Sequence, residues 1–200
     1  MSVPPAPPIL LASESPQRRA ILEQLRLPFE VVPPRFEETP ANIEEGSDPL
    51  AVVTERAQGK ARSVADTAGD RPVLGVDTEV VVDGALLGKP GGAAEAEAML
   101  ERLSGRTHEV VSGLCLVTPA WEEIQHETTR VTFRALTARD LARYLASGEW
   151  ENRAGGYAIQ GLGAALVERI EGDYLNVVGL PAALLVRLLA DRFAGIYGFG

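Results

Sequence analysis

Apolar positions change period several times along the chain, and each change marks an element. The run "ILLA" from Ile9 is short and continuous, as in a buried strand, and gives way at Ser13-Glu14-Ser15-Pro16 to the helical spacing of Ile21, Leu22 and Leu25. Ser15 is a favoured N-cap and Pro16 a favoured first helical residue, because proline's missing N–H is no loss there. Arg18 falls on the apolar stripe of this helix and therefore points inward at its tip. Val31 to Pro49 is proline-rich and acidic and reads as a long loop. Asp48-Pro49 repeats the cap-and-proline signal and predicts a second helix to about Ala68. Its buried face is Leu50, Val53, Ala57, Ala61 and Val64, with Arg56, Lys60 and Ser63 on another line.

"PVLGVDTEVVVDGALLG" predicts a hairpin turning at Asp83-Gly84. "AAEAEAMLERL" is a helix closed by Ser104-Gly105. "THEVVSGLCLV" and "HETTRVTFRAL" are two further strands, the second alternating as a half-exposed antiparallel strand does. "TARDLARYLASG" is a capped helix. The glycine-rich "GGYAIQGLGAALVERIEGDYLNVVGLP" has a strand-like middle at Ala164 to Ile170, and "PAALLVRLLADRF" is a final amphipathic helix. Interleaved strands and helices with hairpins predict an α/β fold with a mixed central sheet flanked by helices. A length of 200 residues predicts one domain over 1–200, with room for two lobes around a cleft, and no internal repeat is seen.

Composition narrows the function classes. At 46% hydrophobic and 24% charged residues, the chain has the makings of an ordinary globular core. "MSVPPAPPILLAS" lacks the basic start and long apolar region of a signal peptide. No apolar run approaches the roughly 18 residues of a membrane helix. A single cysteine, Cys115, cannot form an internal disulfide, which points to a reducing cytoplasm. Two histidines and one cysteine argue against a His/Cys zinc site. A net charge of −9 argues against non-specific nucleic-acid binding. A protein this acidic that binds an anion must gather local positive charge, a divalent cation, or both.

The first helix is the place to look for that charge. Arg18 and Arg19 sit in its first turn, where the helix dipole disfavours cations. Free backbone N–H groups, the hydroxyls of Ser13 and Ser15 and the two arginines would together cradle a phosphate. The other reading is a capped surface helix whose Arg19 pairs with Glu23 one turn on. Within "VLGVDTEVVV", Asp77 and Glu79 share one face of a strand, with side chains about 7 Å apart. Such a pair could hold a divalent cation or activate a water, or the face could simply be wet. "GALLGKP" is not a Walker A loop: it is one residue short and has Pro90 where Ser or Thr must bind magnesium. Gly161-Leu162-Gly163 is no dinucleotide fingerprint, since the third glycine is missing. Taken singly, Lys60 is a solvated helix lysine, Glu37-Glu38 is loop acidity, and His108 and His126 are structural.

Taken together, "LLASESPQRRAIL", "FEET", "KARSVA", "GVDTEVVVDGALLGKP", "LSGRTHEVVSG" and "GGYAIQGLGAALVERIEGDYLNVVGLP" resemble the Maf family of nucleoside triphosphate pyrophosphatases, in order and spacing, over nearly the whole chain. The resemblance implies the family's ITPase-like fold, a mixed α/β sheet in two lobes around a deep cleft. It also implies hydrolysis of a nucleoside triphosphate to the monophosphate and pyrophosphate, with magnesium or manganese as cofactor. Asp77 matches the family's base toward the attacking water. Ser13, Arg18, Lys60 and Lys89 match its triphosphate-binding positions, and Arg19 stands beside them. Glu38 matches the acid of its "D-E-T" loop and, with Asp77, is a metal-ligand candidate; Glu37 replaces the usual Asp.

Three positions distinguish the family's substrate branches. Thr78 and Gln160 match the branch favouring dTTP and UTP, where the 7-methyl-GTP branch has Gln and Glu. Gln17 matches neither the Arg of the first branch nor the Trp of the second, which leaves a broad-specificity enzyme open. A glutamine amide can pair with a pyrimidine's carbonyl and N–H together, which suits Gln160 as the base reader. Glu79 departs from the family, which usually has an apolar residue there. The family's older name, septum formation inhibitor, also raises a non-catalytic nucleotide-binding regulator of division. A homodimer is permitted but not required.

Overall fold

The computed structural model describes residues 6–37 and 47–200. β1 (Ile9–Leu11) leads into α1 (Pro16–Gln24), then come β2 (Phe29–Val31), α2 (Pro49–Ala65), β3 (Val73–Val82) and β4 (Ala85–Leu87). α3 (Ala93–Leu103), β5 (Thr107–Val117), β6 (Glu122–Phe133) and α4 (Ala138–Leu145) follow. β7 (Val167–Glu171), α5 (Tyr174–Val178) and α6 (Ala182–Phe193) complete the order. The predicted mixed α/β sheet is present. Seven strands run β2-β1-β3-β5-β6-β7, with β4 on β3; β2, β1 and β3 are parallel and the remaining pairs antiparallel.

The local signals act as their chemistry dictates. The Ser15 hydroxyl accepts from Arg18 N at the start of α1, and Asp48 caps α2 through Leu50 N. Thr137 and Asp140 close a reciprocal capping box on α4. Asp83 and Gly84 take φ of 52° and 75°, the left-handed pair that a two-residue turn between β3 and β4 requires. Three expectations need correction. α2 ends at Ala65 rather than Ala68. The strand expected over Ala164–Ile170 is a 3-10 turn through Leu166 and becomes extended only at Val167. The loop expected from Val31 gives its first residue to β2, a strand of three residues too short to show a period.

One edge of β3 sets the position of the site. β5 covers the other edge from Val73 to Val81. β1 pairs only with Val73 and Leu74, and β4 only with Val80 to Val82. The stretch Gly75–Glu79 is left as a notch between β1 and β4. The core divides at the same level. On one sheet face, Leu74, Val76, Leu114 and Leu116 belong to a cluster with α1 and α6, whereas Val80, Val82 and Val110 belong to another with α3 and α4. Thr78 and its register partner Ser112 stand between them. On the opposite face, α2 covers Val73 and Cys115 in one cluster and Val81 and Val111 in another, with Asp77 and Glu79 between. α2 can come this close because Gly75 and Gly113 lie beneath it. A Cβ on either would stand 2.1 to 2.2 Å from a backbone oxygen of the helix.

His108 carries a testable consequence of burial. Its Nε2 lies 2.8 Å from the Tyr157 hydroxyl, and its ring packs edge-on against Phe133 and Tyr157. Burial pushes its pKa down to about 4. The unfolded chain, with a histidine pKa near 6.5, therefore binds this proton first as the pH falls. The contribution of the neutral ring is complete above pH 6.5 and is lost between 6.5 and 4, at a total cost of about 3 kcal/mol. Denaturant titrations at pH 7.5, 6, 5 and 4 should show that slope, and His108→Gln should flatten it. An unchanged slope in the variant would assign the loss to other groups.

Candidate active site

A cavity of about 530 Å³ opens at the notch in β3. Ser13, Gln17 and Arg18 enter it from the β1–α1 connection, Lys60 from α2, Asp77, Thr78 and Glu79 from β3, and Lys89 from the segment after β4. Residues up to 76 positions apart thus share one wall because β1 ends where β3 loses its neighbour. A second cavity of about 250 Å³ adjoins the first and is lined by Gln160 and Gly161. The two share Gln17, Arg153, Tyr157, Val177 and Val178.

The cations of α2 are not on a solvated line, as their charge suggested. Arg56, Lys60, Asp77 and Glu79 are 4%, 6%, 5% and 8% exposed. Lys60 Nζ donates to Asp77 Oδ1 at 2.5 Å, and Arg56 Nη1 donates to Glu79 Oε1 at 2.8 Å while lying 3.7 Å from Asp77 Oδ2. Two positive and two negative side chains thus alternate along the interface, so none is buried as a lone charge. This overturns the wet-face reading of Asp77 and Glu79. The match is geometric: residues four apart on a helix and two apart on a strand have similar spacing, about 6 and 7 Å. Arg56 could have been found from that coincidence with Lys60 and the two carboxylates. Asp77 Oδ2 is buried and accepts no hydrogen bond from a described residue.

Arg18 does turn inward. Its Nε donates to Gly179 O at 2.9 Å, its Nη1 to Ser13 Oγ at 3.0 Å and its Nη2 to Thr78 Oγ1 at 3.4 Å. Thr78 Oγ1 is also 2.8 Å from Ser112 Oγ. These bonds tie the tip of α1 to β3 and to the end of α5. Arg19 is a correction: its side chain is 64% exposed and pairs with Glu23 at 3.0 Å, so the structure does not bring it to the cleft. One residue separates an inward guanidinium from an outward one, because consecutive helical residues point about 100° apart. Lys89 is exposed at the cleft mouth. Glu38 lies outside the described residues. Among the described residues, no three His, Cys, Asp or Glu side chains cluster as a metal cage would require.

Comparison with known proteins identifies the family. The model of the Maf-like protein family matches residues 8–192, and the chain belongs to that family. A dTTP/UTP pyrophosphatase of Deinococcus radiodurans is 47% identical over 195 residues, spanning 98% of this chain and 97% of that protein. Proteins of the same name from Nitratidesulfovibrio vulgaris and Bacillus cytotoxicus are 48% and 47% identical, covering 94% and 93% of this chain and 90% and 96% of theirs. No helix among the described residues is long and apolar enough to cross a membrane.

Proposed function

We propose that the chain hydrolyses dTTP and UTP to the monophosphate and pyrophosphate, clearing pyrimidine triphosphates, including modified ones, from the cytoplasmic nucleotide pool. The observation that carries this reading is the bare, buried Asp77 Oδ2 in a cation-lined cleft that runs into the Gln160 pocket. The names of the relatives support it. Asp77 Oδ2 takes a proton from the water that attacks the α-phosphorus, while Lys60 holds the other oxygen and so fixes the carboxylate plane. As the new P–O bond forms, the bond from the α-phosphorus to the bridging oxygen breaks, and charge gathers on departing pyrophosphate. Arg18, Lys60 and Lys89, which line the same cleft, stabilise that charge in this reading.

The donor set fits magnesium or manganese bound in the manner of phosphate-handling sites, by one or two carboxylates plus substrate phosphates. The Asp77 carboxylate, with Glu38, would hold it. A bound divalent cation would supply charge neutralisation and a more acidic water. Purified protein given magnesium or manganese and a panel of canonical, methylated and modified triphosphates should turn over dTTP and UTP fastest, releasing pyrophosphate. Fastest turnover of 7-methyl-GTP, equal turnover of all bases, or release of diphosphate and phosphate would each contradict the reading, and binding without turnover would leave a regulator.

Gln160 gives the base preference a separate test. Gln160→Glu removes the amide donor while keeping the acceptor. Turnover of dTTP should fall about 10-fold relative to 7-methyl-GTP, the effect of one to two hydrogen-bonding contacts. An unchanged ratio would remove Gln160 as the base reader.

A further inference from the structure

Arg153 stands at the join of the two cavities and is the charged residue among the five that line both. Its Nε is buried without a hydrogen-bond partner, and it forms no ion pair with a described residue, although Glu149 and Glu151 line the same walls. Glu149 is already engaged, accepting from Leu162 N at 3.0 Å and Gly163 N at 3.2 Å. The other inward cations each answer a described acceptor: Lys60 has Asp77, Arg56 has Glu79, and Arg18 has Ser13, Thr78 and Gly179. A guanidinium is always charged, and part of this one is withdrawn from water with no bond or ion pair from a described residue to offset it.

The backbone around Arg153 is held rather than loose. Arg153 N donates to Trp150 O, Gly156 N to Arg153 O, and Gly155 N to Gly88 O, the residue before Lys89. Gly155 has φ of 67°, and a Cβ there would stand 2.9 Å from Val80 of β3. The 3-10 turn Ala154–Gly156 is thereby pressed onto β3, and Arg153 lines both cavities from a fixed point.

We infer that Arg153 binds the α-phosphate of the nucleotide. The inference rests on the pyrophosphatase reading and adds to it the residue that stays with the monophosphate. A nucleotide with its triphosphate beside Lys60 and Lys89 and its base beside Gln160 places its 5′-phosphoester at the join. The α-phosphate is the anionic group nearest the sugar and the group attacked. A planar guanidinium donates to two of its oxygens together and keeps that contact after pyrophosphate has left.

Product inhibition of dTTP hydrolysis separates this contact from its neighbours. In Arg153→Ala, the inhibition constant of dTMP should rise about 10- to 100-fold, as loss of a charged hydrogen-bond pair implies, while that of pyrophosphate stays at its wild-type value. kcat/KM for dTTP should fall by a similar factor, and Arg153→Lys should recover part of both effects. The kcat/KM ratio between dTTP and 7-methyl-GTP should not change. An unchanged dTMP constant, an equal rise for pyrophosphate, or a changed base ratio would each overturn the assignment while leaving the pyrophosphatase reading intact. Wild-type protein that neither forms nor binds dTMP would overturn both.

Discussion

Asp77→Asn should lower kcat for dTTP by about 100- to 10,000-fold, the range of a lost general base, with KM little changed. Asparagine has the size and shape of aspartate, and its carbonyl can still accept the Lys60 ammonium that now bonds Oδ1 at 2.5 Å. What it cannot do is take a proton at the position of Oδ2, or offer an anionic oxygen there to a divalent cation. Oδ2 is the atom that accepts no described hydrogen bond and faces Arg56 from 3.7 Å. The substitution therefore removes the reactive atom with little disturbance of its surroundings. Pyrophosphate release gives kcat, and calorimetric titration with a non-hydrolysable dTTP analogue gives the binding constant. Near-normal turnover would remove Asp77 as the base. Equal loss of binding and turnover would make it a binding residue.

The second large effect is on stability. Arg56→Met should destabilise the fold by about 3–5 kcal/mol, because it leaves Glu79 in a covered site without the guanidinium that now donates to it at 2.8 Å. For a chain of this length that is a fall in melting temperature of roughly 10 °C. The partner change, Glu79→Met, leaves Arg56 beside Asp77 only at 3.7 Å and should cost a similar amount. The double variant should regain most of the loss, since a buried ion pair replaced by apolar side chains of similar size is often neutral. Thermal melts of the wild type, both single variants and the double variant form the cycle. A double variant destabilised by the sum of the two single losses would mean that the two side chains act independently.

Much of the fold is legible because its signals are local. Ser15-Pro16, Asp48-Pro49 and Asp83-Gly84 each dictate backbone geometry within a few residues, and each does so here. The glycine-rich segment misleads because Ala164 to Leu166 look strand-like, whereas they belong to a 3-10 turn whose start, at Leu162 and Gly163, is held by Glu149. The five residues of α5 are too few to show a helical period.

The site was legible where chemistry and phase agree. Arg18 lies on the apolar stripe of α1 and turns inward, and Arg19, one residue on, lies off it and does not. Lys60 and Arg56 were harder, because an amphipathic reading sends charges to water and cannot see two carboxylates waiting across the interface. Arg153 gave no local signal. "ENRAGG" has no period, and the position of its backbone depends on the contact of Gly155 with Gly88, far away in sequence.

The central claim is that water attacks the α-phosphorus in the Asp77 cleft. Hydrolysis of dTTP in ¹⁸O-enriched water, followed by mass spectrometry of both products, tests it most directly. One ¹⁸O in the phosphate of dTMP and none in pyrophosphate is the predicted result. Label in the pyrophosphate, or in free phosphate released with dTDP, would contradict it.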